Sequence, residues 1–282
     1  MKRLFRLCLF LLCLVGFSVW GTSYLREYSQ VEKLKTHMEE TEEFRQMQIS
    51  PESLKRLRQF AKEEKMDFSE CLAVLLVEQD FVLDGSVELD RETLQRKIAL
   101  FQRKKPKPFG QLVLACKKIF SDLVYFPLPK TKGESKFFFE DGYGMARSYG
   151  GNRTHEGIDI FGSSKERSYY PVVSMTDGIV EKIGWLPLGG YRIGIRSPGG
   201  GYFYYAHLSA YEKDFQVGDR VCAGEILGLM GDTGYGPEGT SGKFPVHLHL
   251  GIYITDHRGE EMSVNPYPIL VLLENQTQEY QY

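Results

Sequence analysis

Glycine is spread so unevenly along this chain that a single uniform architecture is excluded. Of the 29 glycines among 282 residues, four (Gly16, Gly21, Gly85 and Gly110) precede residue 121 and 25 follow it. Tyrosine divides the same way, two of 17 before residue 121 and 15 after. Glycine and tyrosine favour turns and strands, whereas the glycine-poor part is rich in Leu, Lys, Glu and Gln, which favour helix. The sequence therefore predicts a multidomain chain, helical first and mostly β afterwards, with antiparallel sheets in the second part. With 42% hydrophobic residues there is enough apolar material for buried cores, and a net charge of −2 leaves no electrostatic footprint for nucleic acid.

The N-terminus predicts export. Lys2, Arg3 and Arg6 precede a charge-free run from Leu7 to Leu25, closed by Arg26. As helix that run covers roughly 30 Å, the thickness of a bilayer core, and the basic flank would hold its own end in the cytoplasm. Residues 1–25 read as an uncleaved signal-anchor in preference to a cleaved signal peptide, because the run is long and lacks an A-x-A site. The cysteines carry no zinc or disulfide framework: Cys8 and Cys13 lie in the apolar run, and Cys71, Cys116 and Cys222 show no C-x-x-C spacing. A Cys71–Cys116 bridge and two separate buried thiols are both open.

Residues 26–122 read as a helical stalk and small bundle. Val31, Leu34 and Met38 suggest a stalk helix over 27–48. Ser50-Pro51 starts the next helix, and further starts follow Ser69 and Asp90, with a last helix near 109–122. The run Arg103-Lys104-Lys105-Pro106-Lys107 reads as a solvated turn. This bundle is expected to act as a spacer or as a docking site for a protein partner. His37, in the charged stalk, is expected to face solvent.

Chemistry concentrates in the glycine-rich part. In His155-Glu156-Gly157-Ile158-Asp159 the glycines (Gly157, and Gly150 and Gly151 before it) argue against helix, and an extended chain places His155 and Asp159 on one side. In Val246-His247-Leu248-His249-Leu250-Gly251-Ile252, a strand by content, His247 and His249 share a face. Tyr204-Tyr205-Ala206-His207-Leu208-Ser209 reads as an aromatic strand ending in a histidine. Nitrogen and carboxylate donors of this kind suit zinc; three ligands with two spare histidines meet the needs of a catalytic zinc site, which keeps one position for water. His257 reads as a hairpin tip, Gly189–Gly190 and Gly199–Gly201 as turns. Tyr143, Tyr149, Tyr204, Tyr205 and Tyr235 are candidates for lining a groove, with ordinary strand packing as the alternative.

The H-x-x-x-D, A-H-L-S and H-L-H-L-G-I motifs, in this order, resemble the M23 family of zinc endopeptidases, the lysostaphin-type cell-wall enzymes. The resemblance runs from about Phe126-Pro127 to Asn265-Pro266-Tyr267 and leaves the helical segment uncovered. It implies a peptidase domain over 123–270 of the duplicated-hybrid-motif type, with an open groove, followed by a C-terminal tail over 271–282. It implies one Zn2+ per chain held by His155, Asp159 and His249, with His207 and His247 as the catalytic pair. The substrate it implies is the peptide part of peptidoglycan, cut at the outer face of the membrane. A non-enzymatic scaffold of the same fold and a zinc protease of exported proteins are the alternatives; the complete ligand set disfavours the scaffold.

Overall fold

The computed structural model describes residues 2–85, 87–130, 136–148 and 151–281. Among the described residues the α-helices are α1 (Lys2–Lys33), α2 (Glu42–Arg45), α3 (Pro51–Glu63), α4 (Phe68–Glu78), α5 (Arg91–Lys104), α6 (Pro106–Phe120) and α7 (Tyr267–Leu273). The strands are β1 (Phe137–Phe138), β2 (Ala146–Arg147), β3 (Arg153–Thr154), β4 (Ile158–Gly162), β5 (Pro171–Val173), β6 (Gly178–Leu186), β7 (Gly190–Arg196), β8 (Tyr202–Tyr211), β9 (Arg220–Val221), β10 (Ile226–Met230), β11 (Leu248–Thr255) and β12 (Glu261–Val264).

Apolar side chains such as Phe10, Leu12 and Phe17 stay exposed along α1, and the stretch from Cys8 to Lys33 is long and apolar enough to cross a membrane. No break separates the apolar run from a stalk. The helix continues through Arg26 to Lys33, and the 27–48 stalk is replaced by that last part of α1, a 3-10 turn at Met38–Glu40 and the four-residue α2.

The helix starts follow side-chain capping. The Ser50 hydroxyl accepts from Ser53 N–H at 3.2 Å ahead of Pro51, and the Asp90 carboxylate accepts from Thr93 N–H at 2.8 Å. The start of α4 lies earlier than the sequence suggests. Asp67 accepts from the N–H groups of Ser69 and Glu70, and Ser69 is already inside the helix. A carboxylate caps as well as a hydroxyl and also answers the positive end of the helix dipole. Helices α3 to α6 bury Leu54, Leu57, Leu72, Leu76, Phe101 and Leu112 in a common core, each such side chain stabilising the fold by about 1.5–3 kcal/mol. Cys71 and Cys116 are separate buried thiols in that core, with no bridge between them.

All pairings in the ten-stranded sheet are antiparallel, in the order β1-β4-β11-β8-β7-β6-β9, with β12 beside β11 and β10 joining β5 to β8. The glycine clusters make the β6–β7 and β7–β8 turns, as their spacing suggests. The helices do not stand apart from the sheet. Lys118 donates to the Thr255 hydroxyl at 2.7 Å, Asp122 accepts from Gly199 N–H at 2.6 Å, and the Asn265 amide donates to the Gln46 carbonyl at 3.1 Å. Helix α7 packs on α3, and residues 276–280, set down as a tail, run beside 126–130 with backbone hydrogen bonds. One continuous apolar core spans both parts.

Candidate metal and catalytic site

Strands β4, β11 and β8 lie side by side, and their register brings the histidine motifs together. His249 is paired with Asp159 on one side and with Ala206, the neighbour of His207, on the other. Three donor atoms meet there: His155 Nε2 and His249 Nδ1 lie 3.1 and 2.9 Å from Asp159 Oδ1, and 3.0 Å from each other. His155, Asp159 and His249, expected as ligands, are thus one cluster able to hold a metal ion.

Two of the local conformations differ from their sequence reading. His155 and Asp159 do not share one strand: the chain bends at Gly157 between β3 and β4, and the bend turns the imidazole back toward the carboxylate. A Cβ on Gly157 would stand 2.3 Å from the Leu250 carbonyl and 2.7 Å from His249 Cε1, so only glycine lets β4 approach the ligand strand this closely. His207 does not end its strand either. It lies inside β8 with a left-handed φ of 62°, where the register with both β7 and β10 slips, and this bulge re-aims the imidazole.

Backbone carbonyls set the imidazole orientations. His155 Nδ1 lies 3.0 Å from the Gly142 carbonyl, which accepts, and 3.0 Å from Arg147 Nη2, which donates; with its proton directed to the carbonyl, Nε2 is bare toward the other donors. His207 Nδ1 donates to the Thr233 carbonyl at 2.7 Å, and His247 Nδ1 to the Pro245 carbonyl at 2.8 Å. Carbonyls only accept, so the protons belong on Nδ1 and both Nε2 atoms carry lone pairs. The His207 ring is 4.8 Å from His247 and 5.9 Å from His249, centroid to centroid, and His247 Nε2 lies 3.6 Å from Asp159 Oδ1.

The donor set fits a zinc-class ion: two imidazoles and a carboxylate, buried, with mutually close lone pairs and a carbonyl fixing one imidazole from behind. The electrostatics agree. Burial alone would raise the Asp159 carboxyl, but hydrogen bonds from His155 and His249 and the charges of His249 and His247 hold it far below the usual carboxylate range. Burial pushes His207 well below its ordinary value, helped by His247 and His249, and lowers His247 and His249 as well, against the pull of Asp159. Those histidine charges are present at the acid pH where a carboxyl titrates; near neutral pH the lowered values leave His207, His247 and His249 neutral, the form that binds a metal and accepts a proton.

Arg147 completes the site and was not legible in the sequence. Its Nη2 donates to Asp159 Oδ2 at 2.7 Å, the oxygen that His155 and His249 leave free, and also lies 3.0 Å from His155 Nδ1. Its place depends on β2, a two-residue strand with no periodic signal. Above the cluster opens a cleft of about 640 Å³. Tyr204 and Tyr235 line it as anticipated, with Tyr202 and Tyr253, but Tyr205 is in the core, its hydroxyl accepting from Met175 N–H, and Tyr143 hydrogen-bonds Ser263. Tyr149 and Gly150 fall outside the described residues. Arg153, Lys182 and Arg192 also face the cleft, and Arg192 Nη1 is buried without a hydrogen-bond partner among the described residues.

Comparison with known proteins places this geometry. Residues 153–266 match peptidase family M23. The L-Ala–D-Glu endopeptidase of Bacillus subtilis is 44% identical over 147 residues, 51% of this chain and 42% of that protein. The glycyl-glycine endopeptidase ALE-1 of Staphylococcus capitis is 34% identical over 123 residues, 43% of this chain and 30% of that protein. The chain thus spans about two-fifths or less of the length of these curated relatives. A crystal structure from Ruminococcus gnavus, provisionally described as glycyl-glycine endopeptidase lytM, superposes with a TM-score of 0.78 at 40% identity. That match covers 90% of this chain and 98% of the other, so the likeness extends through the helical part.

Proposed function

We propose that this chain, whose residues 153–266 belong to peptidase family M23, is a zinc-dependent endopeptidase acting on the peptide part of peptidoglycan at the outer face of a membrane. The observation that carries the reading is the three-donor cluster of His155, Asp159 and His249 beside two neutral histidines under an open cleft. The names of the relatives, both endopeptidases, support the class of reaction. The long apolar α1 supports anchorage with the remainder of the chain outside.

Zinc, when bound, polarises the scissile carbonyl and acidifies the attacking water. His155 Nε2, Asp159 Oδ1 and His249 Nδ1 would hold the ion, and Arg147 keeps the Asp159 carboxylate turned and ionised. His207 and His247 each present an Nε2 lone pair fixed by a carbonyl on the opposite nitrogen. One takes the proton of the attacking water and the pair returns it to the leaving amine, work worth about 10²–10⁴ in rate. The tyrosines of the cleft offer flat faces to an extended peptide. Lys182 is ion-paired with Glu261 in the cleft wall, whereas Arg192, with an unpaired nitrogen among the described residues, favours stem peptides that carry free carboxylates over neutral glycine bridges.

Digestion of purified crosslinked peptidoglycan and of casein by the full chain in detergent, followed by mass analysis of the products, tests the reading. New stem-peptide termini with intact casein are the expected result. Casein fragments with unchanged wall would transfer the activity to exported proteins, and no cleavage of either would leave a scaffold.

A further inference from the structure

His37, expected to face solvent, is half-buried, with 32% of its side chain exposed. The chain turns left-handed at this residue (φ 61°) and the imidazole packs on His257, at the tip of the β11–β12 hairpin, with ring centroids 4.3 Å apart. Glu40 lies between them: its Oε1 is 3.1 Å from His37 Nδ1 and 2.7 Å from His257 Nδ1. All three donor atoms fall within 4.8 Å of one another, at the spacing and with the donor types seen in the catalytic cluster.

Hydrogen bonding alone leaves this cluster unsatisfied. Gln111 Nε2 approaches the same His37 Nδ1 at 3.3 Å, so that nitrogen either meets an amide donor while donating to Glu40 or faces the carboxylate with a bare lone pair. Gln111 Oε1 is buried with no hydrogen-bond partner among the described residues. So is Oε2 of Glu39, a carboxylate whose other oxygen lies 3.8 Å from His37 Nδ1. Buried polar atoms without partners cost about 1–3 kcal/mol each, and a buried carboxylate calls for a cation or a metal. A divalent ion would take lone pairs from both imidazoles and Glu40 at once and put a positive charge beside the Glu39 carboxylate, whose near oxygen lies 3.8 Å from His37 Nδ1.

We propose that His37, Glu40 and His257 form a second transition-metal site, of zinc-binding chemistry, that clasps the helical segment to the β11–β12 hairpin. It is distinct from the cleft cluster and shares no residue with it. Its place is structural: His37 and Glu40 come from the helical part and His257 from the peptidase part, and β11 itself carries His249.

Elemental analysis of the full chain in detergent, loaded with zinc chloride and passed through gel filtration, tests the site without reference to activity. Wild type is expected to hold two zinc ions per chain, H257A one, H155A one and H155A/H257A none. Because His257 is at an exposed hairpin tip, H257A should keep its circular dichroism; H257Q serves as the second variant. Zinc should also raise the Tm of H155A and leave that of H155A/H257A unchanged. One zinc in wild type with none in H155A, or two retained in both H257A and H257Q, would overturn the proposal. A Tm of H155A that responds to pH but not to zinc would reduce the cluster to a hydrogen-bonded contact and overturn it equally.

Discussion

Gly157→Ala puts the smallest possible addition where the catalytic account depends on backbone proximity. The new Cβ would lie 2.3 Å from the Leu250 carbonyl oxygen and 2.7–2.8 Å from two atoms of the His249 ring, against an ordinary contact beginning near 3.4 Å. Relieving the clash requires about 1 Å of separation between β4 and β11, strands paired at Ile158–Leu250 and Asp159–His249. Either the strand pair opens or the His249 ring swings, and both move a ligand away from Asp159 Oδ1. Misplacing a catalytic group by about 1 Å costs on the order of 10²-fold in rate, and overpacking a tight contact costs about 1–3 kcal/mol in stability. The assay is release of peptide fragments from crosslinked wall by wild type and G157A, with zinc content and urea unfolding measured on the same samples. The expected result is a loss of about 10²-fold in kcat/KM with weakened zinc retention. Activity within a factor of about two of wild type, with zinc retained, would refute the claim that this close approach places the ligand.

Three further outcomes follow from the same structure. H247A should keep its metal yet lose about 10²–10⁴ in kcat, separating a proton-transfer residue from a ligand; metal loss on atomic absorption would reassign it. D67A should cost about 1 kcal/mol at pH 7 in urea unfolding through loss of the α4 cap. Burial raises the Asp67 carboxyl, but Lys117 and the Glu70 and Ser69 N–H groups more than offset this and lower it overall, so its contribution is present above its unfolded pKa and fades as pH falls through the lower folded value. A D67A deficit that grew on acidification would contradict this sign. For the thiols, burial and the nearby Asp67 and Glu70 carboxylates push Cys71 up to about 12, and burial raises Cys116 further. A maleimide at pH 7.5 should modify exposed Cys222 and spare both until the chain is unfolded, whereas native labelling of Cys71 at the Cys222 rate would argue against the packed bundle.

The parts of this molecule that were legible are those whose cause is local. Side-chain caps named Ser50 and Asp90 as helix starts, glycine clusters named the sheet turns, and the donor chemistry of His155, Asp159 and His249 was carried by residue type alone. Asp67 was missed because Ser69, two residues on, has equal capping credentials, and only the backbone path decides between them. The bend at Gly157 and the bulge at His207 were hidden for a related reason. Period-two alternation assumes a regular strand, and both sites depart from it where neighbouring strands press from the side. Arg147 and the contact of His37 with His257 join residues far apart in the sequence, through pairings that no spacing announces. The packing of the helices on the sheet belongs to the same class, since a helix face wide enough for a bundle is also wide enough for a sheet.

The central claim is that one metal ion held by His155, Asp159 and His249 drives peptide hydrolysis in this cleft. Its most direct measurement is reconstitution: full-length wild type, H257A and H249A are stripped with a chelator and titrated with zinc while cleavage of a defined crosslinked wall peptide is followed by mass spectrometry. The account predicts that stripped wild type and H257A are inactive and recover with zinc, while H249A recovers nothing at any zinc level. Full cleavage by the stripped enzyme, or recovery of H249A to the wild-type rate, would contradict it.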